Sequence, residues 1–219
     1  MKTDADTKLQ HDVLAELEWD PSVDASQIGV TAKDGVVTLT GVVSSFADKM
    51  AAERAAKRVY GVRAVANDIE VKLPGGAERS DTEIAAAAVN ALKWDTSVPG
   101  EAITVTVRNG WITLEGEVEW FYQKDAAERA VRLLKGVKGV VNNIKVKSRV
   151  SPGDIKDKIE EAFKRNAEID ARRITVEAQD GKVILSGRVR SWAERDEAEQ
   201  AAWSAPGVTA VENHITVAP

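Results

Sequence analysis

The stretch DGVVTLTGVV, residues 34–43, returns twice in this chain of 219 residues, as NGWITLEGEV at 109–118 and as DGKVILSGRV at 180–189. Each copy opens with Asx-Gly, the strongest short signal for a β-hairpin, because both central residues of a type I′ turn need positive φ. Apolar and polar residues then alternate, as in a half-buried strand. The phrase therefore predicts a hairpin turn, with its glycine at Gly35, Gly110 and Gly181, followed by the outgoing strand.

A further glycine lies on the buried parity of each outgoing strand. These strand glycines are Gly41, Gly116 and Gly187. A glycine inside a strand indicates a bulge or the close approach of another part of the backbone. At each turn glycine we expect alanine to cost on the order of 1–2 kcal/mol, since positive φ is unfavourable for a residue with a Cβ.

The similarity between the copies extends well beyond this phrase. Apolar residues spaced by four, beginning with Leu9, Val13 and Leu17, predict an amphipathic helix before each hairpin. An alanine-rich helix and a third alternating strand follow it. A right-handed crossover makes that last strand parallel to the second. The predicted fold is α+β: three tandem αββαβ domains, each a three-stranded mixed sheet with two helices packed on one face.

Polar segments rich in Gly, Pro or Ser separate the copies, at 73–81 and 147–155. Segments of this composition are typical of linkers. We therefore predict domains at residues 1–74, 75–149 and 150–219. A unit of this size buries only about 60% of its unfolded surface and is marginally stable alone, but docking of the copies on one another does not follow from the sequence.

Composition excludes several classes of function. The chain has no cysteine, so disulfides, thiol nucleophiles and thiolate metal sites are excluded. Its two histidines, His11 and His214, lie at non-equivalent positions, and no catalytic motif or carboxylate pair stands out. We predict no catalytic residues, no metal and no cofactor, and hence no enzyme. A net charge of −5 argues against nucleic-acid binding, which needs clustered Lys and Arg.

The middle copy differs from the others at the start of its second helix, which carries Trp120-Phe121-Tyr122. Phe121 corresponds to Phe46 and Trp192, and is predicted to be a core residue or a helix staple. Trp120 and Tyr122 replace serine and alanine of the other copies. Amphipathic aromatic residues suit a membrane interface or a protein-binding hot spot. The alternative is that both fill a seam between repeats, and we favour this slightly.

Three basic residues share the outward parity of the third strand in the middle copy: Lys145, Lys147 and Arg149. Near an anionic bilayer each charge adds about 1 kcal/mol of attraction. Three glutamates on the preceding strand offset much of this: Glu115, Glu117 and Glu119. The candidate interaction surface is therefore Trp120, Tyr122, Lys145 and Lys147, and the candidate partners are an anionic phospholipid surface or another protein.

The hairpin DGVVTLTG, the alanine-rich helix with Glu53-Arg54 and the segment GVRAVANDIEV together resemble the BON domain, named for bacterial osmotically inducible and nodulation proteins. The other two copies match as well, so the resemblance covers almost the whole chain. It implies a non-enzymatic module associated with osmotic or envelope stress that binds phospholipid surfaces or other ligands. Many relatives are periplasmic, with a signal peptide or lipoprotein anchor, and this sequence as written shows neither.

The sequence thus predicts a triple-BON binding or scaffold protein associated with osmotic or envelope stress. One alternative is a peripheral phospholipid-binding protein that acts through the middle repeat. Another is a sensor of a small ligand or ion that uses a cleft between repeats. No stretch is long and apolar enough for a transmembrane segment. We expect a cytoplasmic location for the chain as written, and a periplasmic one only if it is a processed or truncated form.

Overall fold

A computed structural model describes residues 3–76, 78–147, 154–167 and 169–218. Within these ranges the chain forms three separate three-stranded sheets, with strand orders β1-β2-β3, β4-β5-β6 and β7-β8-β9. Each sheet belongs to one αββαβ repeat, so the predicted α+β fold with three tandem copies is confirmed. Most of the predicted linker at 147–155 lies outside the described residues.

The helices and strands occupy equivalent positions in the three repeats. The first contains α1 (Asp4–Trp19), β1 (Ile28–Lys33), β2 (Val36–Val43), α2 (Phe46–Arg58) and β3 (Ala64–Val71). The middle repeat contains α3 (Asp81–Trp94), β4 (Ile103–Arg108), β5 (Trp111–Val118), α4 (Phe121–Arg132) and β6 (Gly139–Val146). The third contains α5 (Ile155–Arg165), β7 (Ile174–Gln179), β8 (Lys182–Val189), α6 (Trp192–Trp203) and β9 (Ala210–Val217).

The three hairpin turns have the backbone that the Asx-Gly pairs require. The Asx residues have φ of 51–52°, at Asp34, Asn109 and Asp180. The glycines that follow have φ of 81–85°, at Gly35, Gly110 and Gly181. Positive φ at both central positions defines a type I′ turn. The tightest possible connection therefore joins the first two strands of every repeat.

Each sheet has one antiparallel and one parallel pair. In the first repeat β1 runs antiparallel to β2, and β2 runs parallel to β3 in continuous register from Val36↔Ala64 to Val43↔Val71. The third repeat has the same pairing of β7, β8 and β9. The crossover from the second strand to the third passes through the alanine-rich helix, as a parallel connection needs.

The strand glycines allow a close backbone approach within this continuous register. Gly41 has φ of 124°, and a Cβ on it would overlap the carbonyl oxygen of Gln27, the last residue of the 3₁₀ turn Ala25–Gln27. The same overlap would occur at Gly116 with Ala102 and at Gly187 with Arg173. Of the two explanations for these glycines, close approach is the one that the structure has, because no extra residue interrupts the pairing of Gly41.

The helices pack on one face of each sheet and form a core there. In the first repeat the core contains Leu9, Val13 and Leu17 of α1, the alanines of α2, and Val37 and Leu39 of β2. The third repeat has its own core, with Phe163 as its largest fully buried side chain. Alanine at the helix–sheet contact brings α2 close to the strands, and the opposite face of the sheet stays exposed.

The chain divides into two compact units. One consists of Met1–Ala87, Val107–Ile112 and Arg132–Val140, and the other of Ala88–Thr106, Thr113–Val131 and Val141–Pro219. The middle repeat contributes to both units. The domain boundaries at 74/75 and 149/150 stay a prediction.

Candidate interaction surface

The second helix of the middle repeat begins differently from its counterparts. In the first repeat the hydroxyl of Ser45 accepts a hydrogen bond from the backbone N–H of Asp48, as an N-cap residue does. Trp120 occupies the equivalent position before α4 and has no such oxygen. The side-chain oxygen of Gln123 instead accepts from the backbone N–H groups of Glu119, at 3.1 Å, and Trp120, at 3.0 Å. The indole is therefore free of any capping role.

The predicted surface aromatics lie at the margin of the repeat. Tyr122 is 56% exposed and Trp120 is half-buried. Tyr122 thus does not fill a seam, which is the interpretation that we slightly favour from the sequence. The side chain stands in water because the first turn of α4 turns this position away from the helix–sheet contact.

Phe121, between them, makes the contact that joins two repeats. Its ring stacks on that of Trp203, the last residue of α6, with centroids 4.4 Å apart and planes 10° from parallel. The sequence predicts Phe121 as a core residue or staple, and the structure instead places it against the third repeat. Trp203 has no aromatic counterpart in the other copies, so the repeat pattern carries no signal for this pairing.

Lys145 and Lys147 are exposed near the end of β6. The Lys147 ammonium lies 2.6 Å from the Glu117 carboxylate, so one of the predicted glutamates does offset a positive charge. Arg149, the third member of the predicted row, lies outside the described residues. The Lys147 backbone N–H bonds to the Val118 carbonyl, two residues before Trp120. Trp120, Tyr122 and the two lysines are therefore at the same end of the middle sheet.

An asparagine–glutamate pair ties the third strand to the second helix in every repeat, and we did not predict it from the sequence. The asparagine amide donates to the glutamate at 3.1 Å for Asn67–Glu53, 3.2 Å for Asn142–Glu128 and 2.7 Å for Asn213–Glu199. In each pair the asparagine oxygen accepts the backbone N–H two residues later. A constant separation of 14 residues between a Glu and an Asn in all three copies was the available signal.

Glu53 shows the electrostatic side of this pair. Burial opposes ionisation of its carboxyl, but hydrogen bonds from Lys57 and Asn67 outweigh that effect and hold the pKa below its usual value. The Lys57 ammonium lies 2.8 Å from the carboxylate. These are the contacts of a structural clamp between helix and strand, since every polar group in it is satisfied from within the repeat.

A second set of carboxylates secures the hairpin turns, and the sequence did not lead us to predict it either. The buried carboxylate of Asp6 accepts from the backbone N–H of Asp34 at 2.8 Å. Asp81, its equivalent in the middle repeat, accepts from Asn109 and Gly110 at 2.8 and 2.9 Å. The first helix of each of these repeats therefore begins with an acid that holds the turn.

An open trough of about 800 Å³ lies along β6. We call it the β6 trough; it is lined by Lys124, residues 142–147, Trp203, and residues 209–211. Burial lowers the pKa of the Lys124 ammonium, and the neighbouring Glu128 carboxylate offsets part of this effect. Three lysines and an indole thus line one depression between the middle and third repeats.

The remaining candidate chemistries find no support in the described part of the chain. No three His, Asp or Glu side chains converge there as they would around a metal ion. No helix within the described ranges is long and apolar enough to cross a membrane. His214 lies 3.7 Å from Glu212 in the third repeat, while His11 is on α1 of the first.

Comparison with known proteins agrees with this architecture. The sequence profile of the BON domain matches residues 5–72, 80–148 and 152–219, which is almost the whole chain. The chain belongs to the BON domain family. Each match coincides with one αββαβ repeat, and the resemblance seen in the hairpin, the alanine-rich helix and the last strand is confirmed.

Two kinds of relative illustrate the similarity. Osmotically-inducible protein Y of Escherichia coli (strain K12) is 31% identical over 146 residues, covering 65% of this chain and 73% of the relative. A solved structure of CdsD, a structural protein of the type III secretion system of Chlamydia trachomatis, aligns over 97% of this chain and 93% of its own, at 15% identity and a TM-score of 0.28. A second structure, of the CdsD C-terminal domain, gives 15% identity and a TM-score of 0.27 over 96% and 98%. Scores this low carry no argument about the fold.

Proposed function

We propose that this BON protein is a non-catalytic binding or scaffold protein of the osmotic or envelope stress response. The association with stress is supported by the similarity to osmotically-inducible protein Y. The binding role rests on one observation: Tyr122, 56% exposed, and half-buried Trp120 stand at the same sheet end as exposed Lys145 and Lys147. Large aromatic side chains beside cations are typical of interaction sites.

The stress association is tested by the amount of the protein in its native cells. We expect its level, followed by immunoblot, to rise after a sudden increase in external osmolarity and after envelope damage. A cytosolic protein of unrelated function serves as the loading control. Unchanged levels under both treatments would contradict the association. Fractionation in the same experiment tests the expected cytoplasmic location, which stays a prediction.

The second candidate function is peripheral binding to an anionic phospholipid surface through this same sheet end. Tyrosine and tryptophan favour the boundary between headgroups and water, and lysines are attracted to anionic headgroups. Lys145 supplies positive charge there, whereas Lys147 is partly neutralised by Glu117. Binding of this kind weakens as salt rises, because exposed charges are screened.

The double variant Trp120→Ser/Tyr122→Ala tests the surface, because it gives the middle repeat the residues of the first. We expect co-sedimentation with vesicles containing anionic phospholipid to be lost, while vesicles of zwitterionic phospholipid alone bind neither form. Because Tyr122 is exposed and Trp120 only half-buried, stability should fall by no more than about 1 kcal/mol. A loss of about 3–5 kcal/mol would instead indicate buried aromatics at a seam.

A control of the same side-chain types removes two more exposed aromatics from elsewhere. Trp19 and Tyr60 of the first repeat are 82% and 79% exposed, so Trp19→Ser/Tyr60→Ala deletes the same side-chain types. We expect this control to sediment with vesicles as the wild type does. If both double variants bind normally, the sheet end of the middle repeat is not the lipid surface.

The third interpretation, a sensor of a small ligand or ion, would use the β6 trough. A thermal-shift screen with monovalent cations and small carboxylates tests it. A saturable rise in melting temperature that Lys124→Met abolishes would support it, and a flat response to every compound would refute it.

A further inference from the structure

The β6 trough exposes one edge of the middle sheet. β6 is the last strand of the order β4-β5-β6, so in the described part of the chain no strand pairs with its outer side. The Lys147 N–H bonds inward, to Val118 on β5. Because backbone groups alternate in direction along a strand, the groups of Asn142, Ile144 and Val146 point outward. All three residues are among those that line the trough.

In the third repeat the equivalent edge, along β9, is closed by a single arginine. The Arg195 guanidinium donates to the carbonyls of Ile215 at 3.2 Å and Asn213 at 3.3 Å, the outward carbonyls of β9. It also lies 5.3 Å from the centre of the Trp192 ring, which helps to hold it in place. A forked donor thus satisfies two acceptors that water or a partner would otherwise take.

In the middle repeat, Lys124 occupies the position that Arg195 has in the third repeat. Within the described residues, its ammonium donates no hydrogen bond to the carbonyls of Asn142 and Ile144. The Ile144 N–H is satisfied locally by the Asn142 side chain, at 3.3 Å. As far as the described ranges extend, the carbonyls of Asn142 and Ile144 and the N–H and carbonyl of Val146 are available to hydrogen-bond a partner. Lysine in place of arginine therefore leaves the β6 edge open.

The shape and charge of the trough select the partner. Residues 142–147 border it without a break, which at about 3.3 Å per residue is a run of roughly 20 Å. Lys145 lies on the exposed face of the sheet there, and the equivalent residue of the first repeat is Glu70. Lys124 adds a second positive charge, and Trp203 offers an apolar wall.

We propose that the β6 trough binds an acidic peptide segment in extended conformation, which adds to the middle sheet as a strand beside β6. Main-chain hydrogen bonds supply affinity in this mode, and alternate side chains supply specificity. Carboxylates of the peptide face Lys145, and apolar residues, on the opposite face of the added strand, face Trp203. This site is distinct from the Trp120/Tyr122 surface, with which it shares only the two lysines of β6, and it requires only that the chain be a binding protein.

Fluorescence anisotropy tests the proposal with a labelled synthetic peptide of alternating glutamate and valine, added to the full chain. Two control peptides separate the contributions: one has lysine for glutamate, and the other carries N-methyl groups on alternate backbone nitrogens. We expect the first peptide to bind and both controls to fail. Equal binding of the N-methylated peptide would overturn strand addition, as would no binding of any peptide.

Charge-preserving substitution gives the sharper test. Lys124→Arg keeps the positive charge but gives β6 a guanidinium like the one that occupies the carbonyls of β9. We therefore expect peptide affinity to fall about tenfold, the effect of losing about one net hydrogen bond. Lys49→Arg, the same change at the equivalent position of the first repeat, should leave affinity unchanged. Lys145→Gln should reduce it about threefold, as for an exposed ion pair.

The pattern of losses decides between explanations. Full affinity in Lys124→Arg together with a loss in Lys145→Gln would show attraction of any anion and overturn the proposal. Hydrogen exchange at the Val146 amide should slow when peptide is added, and melting curves establish that each variant is folded. Trp120→Ser/Tyr122→Ala should retain peptide binding, so failure of the proposed surface and failure of the trough give different results.

Discussion

The first and middle repeats have the same frame and differ where their second helices begin. Both have the type I′ turn, the strand glycine and the asparagine–glutamate clamp. In the first, the Ser45 hydroxyl caps α2; in the middle, Trp120 takes the serine position and Gln123 bonds back to the backbone N–H groups of Glu119 and Trp120. The difference teaches that the helix can begin without the serine cap while a first-turn side chain holds the preceding backbone, which leaves the cap position available for an interaction.

The largest effect tests whether the frame is shared. Gly41→Ala and Gly116→Ala should each destabilise by about 3 kcal/mol or more, because a Cβ meets a backbone carbonyl and φ is strongly positive. Denaturant unfolding measures this. Gly75→Ala is the control: a Cβ there meets nothing within 4 Å, so stability should stay within about 0.5 kcal/mol. A mild effect at only one strand glycine would break the equivalence.

The turn glycines should show a smaller and equal effect. Gly35→Ala and Gly110→Ala should each cost about 1–2 kcal/mol, because both glycines have φ of 81°. Asparagine adopts positive φ more readily than alanine, so Gly35→Asn should cost less than Gly35→Ala. If alanine and asparagine are equivalent in chemical denaturation, conformational strain is not the cause.

Substitution at the serine position should lower the free energy of unfolding by about 1 kcal/mol more in the first repeat than in the middle one. Ser45→Ala removes a side-chain acceptor and should cost about that amount, whereas Trp120→Ala should cost little. Gln123→Ala should in turn cost about as much as Ser45→Ala, since two N–H groups lose their acceptor. Thermal melting of the three variants checks this order. A larger loss for Trp120→Ala than for Gln123→Ala would assign the indole a packing role.

The smallest effect concerns the pH dependence of the clamp. The folded pKa of Glu53 lies below its usual value of about 4.3. The carboxylate therefore contributes stability that is fully present above that value and is lost as pH falls through the folded pKa. We expect the difference in melting temperature between wild type and Glu53→Gln to be constant near neutral pH and to shrink below about pH 4.3. A difference that grows on acidification would mean that the sign is wrong.

Local sequence patterns predict the fold, because the chain contains the same pattern three times. Asx-Gly turns and the parity of Val37 and Leu39 depend only on neighbours in sequence. Contacts between helices and strands that are distant in sequence do not follow from such local patterns. The clamp of Asn67 on Glu53 was available only as a spacing, and the stack of Phe121 on Trp203 depends on how two repeats meet. The sequence named Tyr122 as a candidate interaction residue, which stays a prediction, and it gave no indication of the edge beside Lys124.

The Phe121–Trp203 stack makes the folding of two repeats interdependent. Its rings belong to the middle and the third repeat, so the contact exists only while both are folded. A stacked pair contributes about 0.5–1.5 kcal/mol beyond its buried area. That quantity is a coupling free energy, and coupling is reciprocal. Unfolding either repeat therefore makes unfolding of the other between about twofold and twelvefold more favourable, so the middle and third repeats unfold as a coupled pair.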